Sequence, residues 1–468
     1  MRKTLAFLLG ILLAGATSSA VAVTAPELPP FPGITPLEYG SKAIFPGLLW
    51  LDDKGAPINA HGGGILEHKG VYYWYGEHKL FGKGGNSAQV GIHVYSSTDL
   101  CSWHDEGVAL QVKDFPKNFV ESLNDPMVKG CVIERPKVMY NKKTNKFVMF
   151  FHHEFLGASY GTAAPGFAVS DTPTGPFLYL GTMRPNAQKY PLNMLESTRK
   201  EFAEQLSRLK IKAQNKEFAN VPKDPVVNVH TDDKTPGNTL SRPGEKSIPD
   251  AVGMMQTRKE LQEWGKNKAK GREKDDLGFW GRDFEVGQMV RDMNLFVDDD
   301  GTAYHIYASE ENRVTQIAKL TPDYLGYTGE YIRAFGGMRE GPAPFKSGGR
   351  YYMFNSACTG WEPNPTRVFS APSMMGPWKD LGECFKGRPL MSKISYDSQP
   401  TYVLPVPGKS GCFIFMGDRW RPKFPGDGRY IWLPVKWQKD GKPYLEWNSH
   451  WDFSIFNKPG YCDPNVKK

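Results

Sequence analysis

The chain has 468 residues, 40% hydrophobic and 13% aromatic, with 49 Gly and 37 Pro; it is too apolar for a disordered chain and too aperiodic for collagen. Its formal charge of +8 is spread without any basic block interleaved with aromatics, so nucleic acid is not an expected partner. The 12 Trp, 21 Tyr and 27 Phe fall mostly in short strand-like runs, which points to an all-β protein with a large core.

Residues 1–22 read as an export signal. Arg2 and Lys3 precede an apolar stretch from Leu5 to Ala16, and Ala20-Val21-Ala22 is a small-residue cleavage signature. The stretch is too short to span a bilayer and no later run approaches a membrane helix, so residues 23–468 are expected to be exported, periplasmic or extracellular, with no membrane span. Six cysteines (101, 131, 358, 384, 412 and 462) suit an oxidising compartment, but their pairing stays open. No Cys-x-x-Cys or His-rich spacing suggests structural zinc.

One pattern then recurs: a polar start, a short apolar strand, a turn and an aromatic-rich strand. It spans His61 to Tyr75, Glu134 to Phe151, Arg291 to Tyr307, Glu340 to Phe354 and Asp397 to Gly417. Lys69-Gly70, Asp300-Gly301 and Gly348-Gly349 mark hairpin bends. Ser96 to Trp103, Ser170 to Phe177 and Ser370 to Trp378 each add a strand, a turn and an aromatic, giving the strand content of a propeller blade. A five-bladed β-propeller is the expected fold.

The starts at 61, 134, 291, 340 and 397 are spaced by 73, 157, 49 and 57 residues, and the long interval predicts an insertion over 187–288. The insertion reads as mostly helical and irregular. Leu195, Phe202, Leu206, Leu209 and Ile211 recur with helical periodicity, a second helical stretch runs from Met254 to Lys270, and a polar Pro-rich segment lies between. With no clear compact core of its own, it reads as a lid or packing element rather than a separate binding module.

Propeller geometry brings the first residues of the innermost strands together at one end of the axis. Those positions hold Ala60-His61, Glu134-Arg135, Arg291-Asp292, Glu340 and Asp397-Ser398-Gln399. Ion pairs closing the channel would account for Glu134 with Arg135 or Arg291 with Asp292, but not for the whole gathering, because buried carboxylates are costly unless paired.

These residues resemble glycoside hydrolase family 43, on Asn59 to Leu66, Tyr73 to Glu77, Glu134 to Lys137, Arg291-Asp292, Thr359-Gly360-Trp361 with Pro363-Asn364, Ser398-Gln399 and Gly417 to Pro422. Within the family they are most similar to the exo-β-1,3-galactanases. The resemblance implies inverting release of galactose from the non-reducing end of β-1,3-galactan, with a polysaccharide partner, no cofactor and a monomeric chain. It assigns Glu340 as general acid, Asp292 as the group that tunes it and contacts sugar, and Gln399 as a base acting through its imidic tautomer. Glu134 is a sugar contact and the alternative base, an amide being a poor one. Glu77, Tyr160, Thr359, Trp361, Asp418, Arg419 and Trp420, with His61 at the first start, complete the expected sugar-binding set.

Two departures from the galactanase branch qualify the likeness, and a third, the absence of a carboxylate at the first start, separates both this chain and that branch from most of the family. No carboxylate stands at Asn59-Ala60-His61, Glu340-Gly341-Pro342 replaces a more usual Glu-Ala-Pro, and the insertion has no counterpart in the galactanase branch. Two other readings follow: another activity of the family such as α-L-arabinofuranosidase, or a carbohydrate-binding propeller without catalysis. Retention of Glu340 with Asp292 argues against the latter, since binding needs no proton donor. No ligand cluster predicts a metal, and a structural cation is left open.

Overall fold

A computed structural model describes residues 40–82, 85–114, 125–158, 160–214, 248–269 and 276–466; the expected export signal and the Pro-rich segment up to 247 lie outside them. The chain is an all-β propeller arrangement. Its first sheet is β1 (His61–His68), β2 (Val71–Lys79), β3 (Gln89–Ser97) and β4 (His104–Gln111), in sequence order. The second is β5 (Val132–Asn141), β6 (Lys146–Glu154), β7 (Ala164–Ser170) and β8 (Leu178–Thr182). β9 (Met293–Val297), β10 (Ala303–Ser309), β11 (Val314–Leu320) and β12 (Tyr327–Phe335) form the third. The fourth is β13 (Arg339–Ser347), β14 (Arg350–Ala357), β15 (Arg367–Ala371) and β16 (Lys379–Glu383).

Among the described residues six sheets form, not the five blades that the spacing predicts. One of the remaining two is β18 (Gln399–Pro405), β19 (Phe413–Asp418) and β20 (Tyr430–Pro434). The other joins β17 (Phe385–Lys386) in parallel to β22 (Pro443–Glu446), which pairs antiparallel with β21 (Lys436–Trp437). Its strands are too short to display a period-two pattern and come from segments between the repeats, so only their tertiary pairing reveals them. Phe385, Trp437 and Leu445 bury against Phe413 and Phe415 of β19.

The innermost strands β1, β5, β9, β13 and β18 pack side by side in a ring, and each carries or directly follows one of the polar starts. The hairpin signals work as turn chemistry demands. Lys69 and Gly70 (φ 54° and 81°) and Gly348 and Gly349 (φ 55° and 73°) take the paired left-handed conformations of a two-residue bend. Phe147 to Phe151 on β6 are buried on both faces, which explains a continuous apolar run, whereas outer β8 exposes Leu178 and Leu180. The first sheet and β20 meet through Trp74, whose ring lies 4.6 Å from Tyr430, 4.9 Å from Trp432 and 5.2 Å from Trp103.

Between β8 and β9 lie α1 (Glu196–Gln214), α2 (Ile248–Ala269) and α3 (Gly278–Asp283). Contrary to the sequence reading, this region has a core of its own: Phe202, Leu206 and Leu209 bury against Leu261, Trp280 and Phe284. Of the periodic residues, Phe202, Leu206 and Leu209 are buried on α1, while Leu195, just before the helix, is 72% exposed. The core was not legible because Trp280 and Phe284 follow α2 and lie far along the chain from α1. The region is fastened to β12: Trp280 Nε1 donates to the Tyr331 hydroxyl (2.8 Å), Leu192 N to the Tyr331 carbonyl (2.7 Å) and Arg333 Nη2 to the Asp276 carbonyl (2.8 Å).

Cys412 and Cys462 form a disulfide, and Cys101, Cys131, Cys358 and Cys384 are free thiols. Among the described residues, no helix is long and apolar enough to cross a membrane, and no three His, Cys, Asp or Glu gather as metal ligands. Because Trp74 joins the first sheet to β20, Trp74→Ala is expected to lower stability by about 3–5 kcal/mol, read as a shift of the urea unfolding midpoint.

Candidate active site

Four of the ring strands break register where their polar starts sit: β1 between His61 and Gly64, β5 between Glu134 and Lys137, β13 between Glu340 and Ala343, and β18 between Pro400 and Tyr402. Such bulges bend a strand and re-aim the neighbouring side chain. At three of them a left-handed residue makes the bend: Gly62 (φ 64°), Arg135 (φ 55°) and Gly341 (φ 57°). Gly341 has no room for a side chain, since a Cβ would lie 2.5 Å from the Pro400 carbonyl oxygen.

The ends of these strands enclose a cavity of 310 Å³ lined by Glu134, Arg135, Asp292, Glu340, Gln399 and Trp420, with Glu77, His152, Tyr160, Arg291, Asn312, Cys358, Gly360 and Trp361. Burial and the charge of Asp292 raise the Glu340 carboxyl to about 7, against weaker opposition from the Cys358 hydrogen bond, Arg135 and Arg291. Glu340 Oε1 accepts from Asn312 Nδ2 at 2.7 Å and from Cys358 Sγ at 3.2 Å. Gln399 Nε2 donates to the other oxygen, Oε2, at 3.4 Å. With two donors on Oε1 and only the long bond from Gln399 on Oε2, the proton of neutral Glu340 fits Oε2 better.

Arg135 organises the floor. Its Nη2 donates to Asp292 Oδ2 (2.7 Å) and Gln399 Oε1 (2.5 Å), and its guanidinium lies 5.1 Å from the Trp420 ring centroid. Asp292 Oδ2 also accepts from Gly341 N at 2.9 Å. Trp420 Nε1 donates to Gln399 Oε1 at 2.8 Å, while Gln399 Nε2 donates to Ser356 Oγ at 3.0 Å. Arginine and indole only donate, so this environment fixes the amide orientation. An imidic tautomer of Gln399 would carry an O–H where two donors already point, and one of them would have to yield.

Glu134 has the opposite environment. Burial alone would raise its carboxyl, but the hydrogen bond and charge of His152, with Lys79 and Asn86, hold it well below the usual carboxylate range. Oε1 accepts from Asn86 Nδ2 and from the Tyr160 hydroxyl (2.8 Å), and Oε2 from His152 Nδ1 (2.8 Å). His152 bridges to Glu154 at 2.7 Å, and despite its burial the two carboxylates push it up to about 10. Glu134 is therefore a permanent anion and a weak base.

Eight of the twelve candidate side chains line the cavity, Glu77 from beneath: it is fully buried, 3.2 Å from Lys79 Nζ, and accepts from Arg135 N at 3.0 Å. Four do not line it. His61 is buried behind Trp420, stacked on it at 4.9 Å, with Nδ1 3.3 Å from Asp418 Oδ1. Asp418 is buried and accepts from Gly62 N at 3.1 Å. Arg419 bonds the Asp397 and Tyr396 carbonyls at 3.2 and 3.0 Å, and Thr359 Oγ1 donates to the Glu362 carbonyl at 2.6 Å. Adjacent residues on one strand face opposite ways, so a motif that marks a site cannot by itself assign every member to the cavity.

Sequence reasoning did not single out Asn312, Cys358 or His152. Asn312 sits in a turn between β10 and β11 that reads as ordinary hairpin chemistry, and Cys358 is one thiol among six. His152 did have a signal: His152-His153-Glu154 ends an otherwise apolar strand, where buried polar groups must be paired.

A family model described as glycosyl hydrolases family 43 matches residues 271–443. A solved family 43 β-1,3-galactosidase, BT3683, with galactodeoxynojirimycin, is 42% identical at a TM-score of 0.68, covering 88% of this chain and all (100%) of that one. An exo-β-1,3-galactanase from Phanerochaete chrysosporium, solved with β-1,3-galactotriose, is 26% identical at a TM-score of 0.59, covering 88% of this chain and 68% of that one. One from Clostridium thermocellum is 27% identical at a TM-score of 0.59, covering 88% of this chain and 66% of that one. No curated protein matches.

The electrostatics can be checked directly. Carboxyl titration followed by infrared difference spectroscopy should give Glu340 a midpoint near 7, and Asp292→Asn should lower it, because removing a neighbouring negative charge favours the ionised form. An unchanged midpoint would leave burial as the whole cause.

Proposed function

Because the chain belongs to glycoside hydrolase family 43, we propose that it is an exo-acting, inverting hydrolase that releases galactose from the non-reducing end of β-1,3-galactan. The observation that carries this reading is Glu340, a half-buried carboxyl raised to about 7 at a cavity wall, in a chain 42% identical to a β-1,3-galactosidase. A floor closed by Arg135 and a volume of 310 Å³ suit a terminal sugar better than a chain running through.

In this scheme Glu340 delivers the proton on Oε2 to the glycosidic oxygen as the bond to the anomeric carbon breaks. Water attacks that carbon from the opposite face and gives its proton either to Gln399 or to the Glu134 carboxylate. The first product from a β-linkage is α-galactose. Asp292 keeps the acid protonated near neutral pH, and Glu134, always ionised, accepts sugar hydroxyls if Gln399 takes the water's proton. Trp361 and Trp420, 5.7 Å apart edge to face, offer apolar faces to the ring. The scheme uses no cofactor and one chain. With the signal read at 1–22, the reaction belongs outside the cytoplasm.

Incubation with β-1,3-galactan should release galactose, seen by NMR as the α-anomer first. Glu340→Gln should lower kcat by about 10²–10⁴-fold. Release of arabinose alone would move the chain to another activity of the family, and no release from any glycan would favour the binding propeller. Azide should restore turnover to whichever of Gln399→Ala and Glu134→Ala has lost the water-activating group. The wild-type basic limb of kcat/KM should fall above about pH 7, where Glu340 loses its proton.

A further inference from the structure

Between β10 and β11, Glu310, Glu311 and Asn312 are all left-handed, at φ 55°, 56° and 62°. Three successive non-glycine residues hold that conformation only when their surroundings over-determine it. Each side chain here is committed. Arg333 grips Glu310 with both arms, Nε to Oε1 at 2.7 Å and Nη2 to Oε2 at 2.8 Å. Glu311 Oε1 accepts from Arg282 Nη1 at 3.0 Å, and its Oε2 from Arg291 Nη2 at 2.5 Å. Asn312 Nδ2 donates to Glu340 Oε1.

Arg282 belongs to α3, inside the inserted region, and is fully buried. Its remaining nitrogens bind Asp283, Nε to Oδ1 at 3.0 Å and Nη2 to Oδ2 at 2.7 Å. Arg258 of α2 reaches the same carboxylate at 2.6 Å. The planar fork of Arg282 thus joins the helical region to the turn beside the acid, a geometry that lysine does not reproduce.

We propose that the inserted region positions the proton donor, acting through Arg282 and Glu311 on Asn312. The proposal rests on the reading of Glu340 as the acid. Asn312 marks Oε1 as the accepting oxygen and leaves Oε2 to carry the proton; a turn released from Arg282 would relax from its left-handed conformation and take Asn312 with it. Arg282 and Glu311 are positioning residues, since neither donates to Glu340.

The test compares two leaving groups in the full chain. Arg282→Met cuts the link from the inserted side; Glu311→Gln weakens it from the turn and covers the case in which the buried Arg282 variant fails to fold. Both should lower kcat/KM on β-1,3-galactobiose about tenfold or more, yet change it less than about twofold on 2,4-dinitrophenyl β-galactoside, whose leaving group departs without a proton. Equal losses on both substrates, or no loss on either, would overturn the proposal. If the wild type ignores galactosides and cleaves another glycoside, the galactan reading fails. The same ratio on that sugar's disaccharide and dinitrophenyl glycoside then decides the positioning role.

Discussion

The site hangs on one buried cation. Arg135 is 3% exposed, and although burial works against its charge, Asp292, Asp418 and Glu77 together hold it protonated beyond its ordinary range. Breaking such a cluster at one member leaves an uncompensated buried charge, usually worth about 3–5 kcal/mol. Arg135 touches Asp292 from the third repeat and Gln399 from the fifth, and stacks on Trp420, so one guanidinium sets the relative positions of groups far apart in sequence. Lys137, two residues further along β5, donates to the Gly62 carbonyl at 2.7 Å, and burial with the charge of Arg135 pushes it down to about 7.

Strand geometry makes this possible. A regular strand alternates its side chains, but a bulge lets consecutive residues serve different ends. Glu134 faces the cavity while the left-handed Arg135 still reaches its floor, and Gly341 brings its N–H to Asp292 immediately after Glu340 has entered the cavity wall. The close approach of Gly341 to the Pro400 carbonyl, together with its left-handed φ, accounts for glycine at this position.

Two carboxyl groups of one cavity are driven in opposite directions by their neighbours. Glu340 has burial and an anion beside it and is raised; Glu134 has an imidazolium clamped against it and is lowered. Separation of this kind leaves one carboxyl able to hold a proton near neutral pH and the other a permanent anion without any difference in residue type. It also explains why the balance between Gln399 and Glu134 could not be read from the residue types: the amide's orientation comes from Arg135 and Trp420, and the carboxylate's strength from His152, each distant in sequence from the group it acts on.

The sequence by itself determined the hairpins and the five polar starts that carry Glu340, Asp292, Gln399 and Glu134 to one cavity, because turn residues and period-two patterns act locally and repeat. Only the tertiary structure decided that six sheets form, that Cys412 pairs with Cys462, and that His61, Asp418, Arg419 and Thr359 lie off the cavity wall. The same holds for the Phe202, Trp280 and Phe284 core and the arginine that ties it to the turn beside Glu340. Local pattern fixes which face of a strand is apolar. Which distant charges share a buried space depends on ring closure, because desolvation and pairing arise only when the strands meet.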